Sequence, residues 1–307
     1  MSTIEKALAK NKAGQSSNNA NSEQVSDEAQ IAADSAASTQ ENNDATVASS
    51  DSTAAPSDGQ GMPHINLDMN YLSEKGMVDH SAERRIINEE YRAIKRKIIS
   101  NAFGPLSKTL DHSNVIMVTS SKPGEGKTFT AVNLALSIAS EQDKTVLLVD
   151  ADVLRPNVMK TLGHSNQEGL IEYLLGEKGS VSDIMRATNI PNLKIIAAGK
   201  PHRLSNELLA SEIMRQTVDE FSTRYKDRIV IIDTPPLLGI NETSVLTNLA
   251  GQALVVCEEG KSKLHDIKSA VAHLNPDMAI GFVVNKVLNN DQGPGYYGYY
   301  YGTNETG

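Results

Sequence analysis

The run Ser120-Ser121-Lys122-Pro123-Gly124-Glu125-Gly126-Lys127-Thr128 follows directly on an apolar stretch and opens a helical one. Its spacing is that of a phosphate-binding loop, G-x-x-x-x-G-K-T, with Ser121 standing at the first glycine. Gly124 and Gly126 would let successive backbone N–H groups turn inward around phosphate oxygens, where a helix N-terminus adds partial positive charge. Lys127 would reach the β- and γ-phosphates, and the Thr128 hydroxyl would coordinate Mg²⁺. Ser121, Pro123, Gly124, Glu125, Gly126, Lys127, Thr128 and the adjoining Phe129 are therefore the predicted nucleotide-binding residues. A glycine-rich turn that only caps a strand would share the composition, but not the strand before it and the helix after it.

Two more apolar runs end in carboxylates. Val146-Leu147-Leu148-Val149 leads into Asp150-Ala151-Asp152, and Ile229-Val230-Ile231-Ile232 leads into Asp233-Thr234-Pro235-Pro236. In a parallel sheet the strand C-termini gather at the edge where the phosphate loop lies. Asp150, Asp152 and Asp233 are thus expected to converge on Mg²⁺ and the γ-phosphate. A third run ends in Val283-Val284-Asn285-Lys286, where the Asn285 amide could read a purine edge. A guanine-selective N-K-x-D motif would need Asp where Leu288 stands, so adenine, and hence ATP, is favoured.

Tyr296, Tyr297, Tyr299, Tyr300 and Tyr301 are five of the nine tyrosines, set among Pro294, Gly295, Gly298 and Gly302. They have neither helical nor strand period. The bland reading is a sticky low-complexity tail over 293–307. Beside a phosphoryl-transfer site, the sharper reading is a flexible strap of phosphoryl acceptors.

These groups need a scaffold that brings them to one edge. The segments 115–119, 145–150, 193–197, 228–233, 253–257 and 279–285 are short, mostly continuous apolar runs, as strands covered on both faces read. Helical stretches at 127–141, 169–175, 205–225, 244–249 and 263–274 alternate with them. The expected fold class is α/β: a P-loop NTPase-like, mostly parallel sheet with helices on both faces, spanning 63–292. Residues 63–80 read as an extended lead-in. Over 81–100 a helix is predicted, with Ile87, Tyr91, Ile94 and Ile98 on one stripe and Arg84, Arg85, Glu89, Arg92, Lys95, Arg96 and Lys97 mainly elsewhere. For that charged surface a solvated face is the simple explanation.

The net charge of −9 over 307 residues is unevenly spread. Residues 1–12 carry +2 and residues 13–62 carry −8 with no Lys or Arg, which leaves −3 on 63–307. That near-neutral remainder argues against nucleic acid as a partner. Segment 13–62, built from Ala, Ser, Asn, Gln, Asp and Thr, is too poor in apolar side chains to offset backbone ordering and reads as disordered. Ahead of it, Ser2-Thr3-Ile4-Glu5 has capping-box spacing, so 1–12 could form a short docking helix or a frayed terminus. The single cysteine, Cys257, excludes an internal disulfide and a cysteine zinc site. There is no apolar run of membrane-spanning length and no signal-peptide pattern, so a cytoplasmic chain is expected, brought to a membrane only by a partner.

Taken together, the S-S-x-P-G-E-G-K-T loop, the D-x-D motif at Asp150 and Asp152, the I-V-I-I-D-T-P-P motif at Asp233 and the tyrosine cluster resemble the bacterial tyrosine kinases (BY-kinases) over about residues 81–301. The order of Met1-Ser2-Thr3-Ile4-Glu5-Lys6-Ala7-Leu8 and Glu89-Glu90-Tyr91-Arg92-Ala93-Ile94-Lys95-Arg96 looks most like the stand-alone type associated with exosortase loci. The resemblance implies an autokinase governing exopolysaccharide or capsule production and using ATP and Mg²⁺. Lys127 and Thr128 would bind the phosphates and Mg²⁺, Asp150 would serve as base or metal-positioning residue, Asp152 as a second carboxylate at the metal, and Asp233 as a metal or water ligand. It also implies an E-x-x-R-x-x-R helix that joins subunits into a ring, at Glu89, Arg92 and Lys95, so that one tail enters the next subunit's site. Lys95 replaces the usual Arg and lacks its bidentate fork. In the second motif Leu154 stands where the family has Arg, and Arg155 follows. The implied partners are further copies of the chain, a separate transmembrane polysaccharide chain-length regulator as activator, and a protein-tyrosine phosphatase.

The rival function is a positioning ATPase of the ParA/MinD type, which shares the loop and acidic strands and keeps a signature lysine where Lys122 stands. A switch of that kind has no need of the tyrosines. A third reading makes the tail an interaction module and ATP only a setter of oligomeric state.

Overall fold

A computed structural model describes residues 62–79, 85–239 and 242–288. The possible helix at 1–12, nearly all of the acidic segment 13–62, the start of the helix predicted at 81–100 and the tyrosine-rich stretch 293–307 lie outside the described residues.

Eight strands form one sheet: β1 (His64–Ile65), β2 (Val115–Ser120), β3 (Thr145–Asp150), β4 (Met185–Thr188), β5 (Leu193–Ile196), β6 (Arg228–Asp233), β7 (Gln252–Glu258) and β8 (Ala279–Asn285). Their order is β1-β4-β5-β3-β6-β2-β7-β8, and every neighbouring pair is parallel except β4 with β5. The continuous apolar runs have the expected cause. Along β2, Val115 and Met117 enter one core while Ile116 and Val118 enter the other, and β3 and β6 divide in the same way. Both faces of the central strands are thus buried, and alternation in the sequence disappears.

The helix Lys127–Ala139 packs on one face with nearly every side chain buried, alongside the helix Ile86–Phe103. The other face is covered by Leu170–Leu174, Glu212–Thr223 and Leu264–Val271, which contribute Ile171, Phe221 and Ala270 among others. The single helix expected over 205–225 is two, Ser205–Leu209 and Glu212–Thr223. The break falls where the Ser211 hydroxyl accepts from the Met214 N–H and starts a new helix. The lead-in 63–80 also holds a short helix, Met69–Glu74, begun by the Asp68 carboxylate accepting from the Asn70 and Tyr71 N–H groups.

Lys95 is not where a subunit-joining residue should be. It shares the buried stripe of its helix with Tyr91, Ile98 and Ala102 and is 6% exposed. Its ammonium donates to the Ser137 carbonyl (2.9 Å) and the Ser140 hydroxyl (3.1 Å) and pairs with Glu141 (2.6 Å). It therefore caps the C-terminal end of the phosphate-loop helix, where carbonyls lack intrahelical partners and a cation is favoured. Glu89 and Arg92 pair with each other on the exposed side instead. Replacing Lys95 with Met would leave the Ser137 carbonyl and Glu141 without their cation. A loss of about 1–3 kcal/mol is expected, read as a lower urea midpoint; an unchanged midpoint would rule out this cap.

Candidate functional site

Because β2, β3 and β6 are parallel neighbours, their C-termini arrive together. Val118 of β2 lies opposite Asp233 of β6, and Asp150 of β3 lies opposite the same residue. The loop 121–126 leaves β2 at this edge and enters the helix Lys127–Ala139 through Gly126. Gly124 and Gly126 have φ of 89° and 99°, which side chains rarely adopt. A Cβ at Gly126 would also run into the Asn285 amide.

Ser121 turns its hydroxyl to the Glu125 carboxylate at 2.8 and 3.0 Å, and Glu125 also accepts from the Lys122 N–H at 2.8 Å and from the Ser262 hydroxyl. Glu125 is buried, so its side chain braces the loop from within and leaves its backbone to meet a ligand. Pro123 is exposed at the loop tip, while half-buried Phe129 packs against the core beneath the helix. The side chains of these two predicted binding residues therefore shape the loop's surroundings.

Lys127 pairs with Asp152 at 2.7 Å, both largely buried. Thr128 donates its hydroxyl to Asp233 Oδ2 at 2.6 Å. The other oxygen of that carboxylate, Asp233 Oδ1, is buried with no hydrogen-bond partner. Burial pushes the Asp233 carboxyl well above the usual carboxylate range and the nearby Asp150 charge adds to this, while Lys127 and the Thr128 hydroxyl pull it back. An orphaned carboxylate oxygen beside a threonine hydroxyl is a hard-oxygen donor set of the kind Mg²⁺ takes.

Asp150 reaches the same strand edge, but both of its oxygens are already engaged by the backbone. Its Oδ1 accepts from the Asp152 N–H (3.2 Å), and its Oδ2 from the N–H groups of Asn157 (3.1 Å) and Val158 (3.0 Å). Its carboxyl is pushed up to about 7, chiefly by burial and further by Asp152, with the backbone N–H groups opposing. Asp150 thus anchors the turn that carries Asp152, and it has no exposed surface. Among the described residues no group of three His, Cys, Asp or Glu side chains is placed to hold a metal by itself. Mg²⁺ in phosphoryl-transfer sites needs no such cage, because it binds through one or two carboxylates and the substrate's phosphates.

The remaining expected residues are placed as follows. The Asn285 amide donates to the Glu125 carbonyl at 3.0 Å and so abuts the loop on one side. Lys122 reaches Asp266 at 2.5 Å, on the helix Leu264–Val271, and is held within its own chain. Leu154 and Arg155 are both exposed on the turn after Asp152, and the Arg155 N–H bonds to the Asp152 carboxylate. The five tail tyrosines lie outside the described residues. Sequence spacing had not shown the brace through Ser262 and Lys286, which come from the ends of β7 and β8. Only their place after the last two strands, on the loop's side of the sheet, could have hinted at it.

A domain family described as "AAA domain" matches residues 113–279, more than half of the chain. Tyrosine-protein kinase YwqD of Bacillus subtilis (strain 168) is 31% identical over 228 residues, which cover 73% of this chain and 92% of that protein. The chain belongs to the bacterial tyrosine-protein kinases. With tyrosine-protein kinase wzc of Salmonella typhimurium the kinase shares 32% identity over 61% of its own length but only 26% of that larger protein. The solved kinase domain of Escherichia coli tyrosine kinase ETK superposes with a TM-score of 0.59 at 25% identity, covering 76% of this kinase and 93% of the domain. These relatives make the chain a protein-tyrosine kinase, and its phosphate loop and mostly parallel sheet supply the nucleotide-binding fold. Among the described residues no helix is long and apolar enough to cross a membrane.

Proposed function

We propose that this kinase transfers the γ-phosphoryl group of ATP to its own C-terminal tyrosines, Tyr296, Tyr297, Tyr299, Tyr300 and Tyr301, in trans between subunits of an oligomer. The observation that carries the reading is the joint presence of an assembled phosphate-loop and carboxylate edge and five tyrosines packed into 296–301.

The chain's own groups divide the work. The N–H groups of 124–128 and Lys127 hold the phosphates and offset the charge that spreads over the transferring group. Thr128 and Asp233 are the residues that would hold Mg²⁺, with Asp152 close by. When bound, the ion would supply charge neutralisation to the transferring phosphoryl group. A tyrosine hydroxyl has a pKa of about 10 and needs a carboxylate to take or orient its proton. Asp152 reaches Lys127 and hence the phosphoryl position, so we place it at the incoming hydroxyl, with Asp150 behind it holding the turn. Asn285 would meet adenine.

The same reading carries the resemblance's wider implications. The phosphorylated tail would regulate exopolysaccharide or capsule synthesis and export at the inner face of the membrane. A separate transmembrane chain-length regulator would activate the kinase and a tyrosine phosphatase would reset it. Glu89 and Arg92, exposed on one helix, remain available for a ring contact, with Lys95 withdrawn from it. Transfer in trans is tested by mixing Lys127→Met chains, which keep the tail, with chains whose tail tyrosines are all phenylalanine. Phosphate should appear on the Lys127→Met tail; a mixture that stays unlabelled while wild-type protein labels itself would show transfer in cis.

A further inference from the structure

The outward side of the phosphate loop is held by two adjacent residues at the end of β8. Lys286 Nζ donates to the Gly124 carbonyl at 2.7 Å and to Glu258 Oε2 at 3.0 Å, while Asn285 Nδ2 donates to the Glu125 carbonyl at 3.0 Å. In a planar trans peptide the C=O of one residue and the N–H of the next point in opposite directions. Fixing the Gly124 carbonyl therefore aims the Glu125 N–H away from Lys286, and fixing the Glu125 carbonyl does the same for the Gly126 N–H. Those are N–H groups from which a phosphate nest is built.

Lys286 makes this contact from a left-handed backbone, with φ of 59°, a costly conformation for a residue that carries a side chain. Strain of that kind persists where the surroundings impose it, and here they do so at the loop. The Glu258 backbone is fixed by the Ser262 hydroxyl, which accepts from its N–H at 2.7 Å and donates to Glu125, while the other carboxylate oxygen of Glu258 pairs with Lys261 at 2.5 Å.

We propose that Lys286 is a positioning residue for nucleotide binding. Held by Glu258, it orients the phosphate loop from behind and does not itself touch the nucleotide. The inference rests on the phosphoryl-transfer reading for its purpose, but its test needs no catalysis. MgADP binding to the full chain is measured by calorimetry for the wild type, Lys286→Met and Glu258→Gln. Loss of a charge-assisted hydrogen bond at the loop should raise Kd about tenfold in Lys286→Met. Glu258→Gln should also weaken binding, because the ammonium loses the partner that fixes it. If Lys286 acted only as a positive charge near the phosphates, removing the Glu258 carboxylate would tighten binding, and that opposite sign would overturn the proposal. Unchanged affinity in both variants would overturn it too. In autophosphorylation assays the KM for ATP should rise while kcat changes by less than about threefold, a split that general loss of folding would not give. Should Lys286→Met fail to fold, the sign of the Glu258→Gln effect still decides. If both variants weaken MgADP binding and the wild type phosphorylates nothing, the kinase reading falls and this inference stands.

Discussion

Replacing Lys127 with methionine should reduce tail phosphorylation by a hundredfold to a thousandfold or more, since one preorganised positive group facing the developing charge is worth about that much. The side chain is also half of a buried pair, and its removal leaves the Asp152 carboxylate 4% exposed without its cation. Breaking such a pair costs about 3–5 kcal/mol, so a low melting temperature could be mistaken for the cause of inactivity. The double variant Lys127→Met/Asp152→Asn separates the two effects. It should regain much of the lost thermal stability, measured by calorimetric melting, and none of the labelled phosphate transfer. Substantial tail labelling by the folded single variant would sink the assigned role of Lys127.

The second large effect is expected at Asp233, where stability and activity should move in opposite directions. Asparagine can still accept from the Thr128 hydroxyl through its carbonyl, and its amide falls where Asp233 Oδ1 has no partner. The folded-state pKa of Asp233 is raised, mainly by burial. Below the ordinary value of about 3.9 the carboxyl is protonated in both folded and unfolded chains and carries no penalty. As pH climbs from there through the raised folded value, the unfolded chain ionises first and the folded state loses stability. Asparagine has no such loss. Without nucleotide, Asp233→Asn should therefore melt higher than wild type at pH 8, with the gap shrinking toward pH 5. Its kinase activity should fall about a hundredfold or more for want of the carboxylate that Mg²⁺ needs. A melting gap that widened toward acid pH would contradict the buried-carboxyl account.

The chemistry was legible in the sequence where it depends on local spacing. Gly124, Gly126, Lys127 and Thr128 follow one another along a strand–loop–helix, and Asp150, Asp152 and Asp233 end strands whose apolar runs could only be buried on both faces. The expected residues missed their places where the outcome depends on which side of an element faces inward. Lys95 falls on the same stripe as Tyr91 and Ile98, and a lysine there is read as exposed until the end of the neighbouring helix is seen to need a cation. Asp150 was expected to act as base or metal-positioning residue because it ends a strand, yet the three N–H groups that claim it come from a turn whose path no spacing rule gives. β4 was missed because Met185-Arg186-Ala187-Thr188 is short, half-buried and antiparallel to its neighbour β5. The brace of Glu125, Ser262 and Lys286 joins residues more than a hundred positions apart along the chain to the loop, and became visible only once β7 lay beside β2 and β8 beside β7.

Lys122 bears on the rival ATPase reading. Here it is tied to Asp266 of its own chain. The tail tyrosines favour the kinase, and one measurement separates the two directly. Purified full-length chain is incubated with MgATP and its peptides are mapped by mass spectrometry. Phosphate on tyrosines within 296–301, missing in Lys127→Met, is the expected result. Release of inorganic phosphate with those tyrosines unmodified would contradict the account and leave a nucleotide-driven switch.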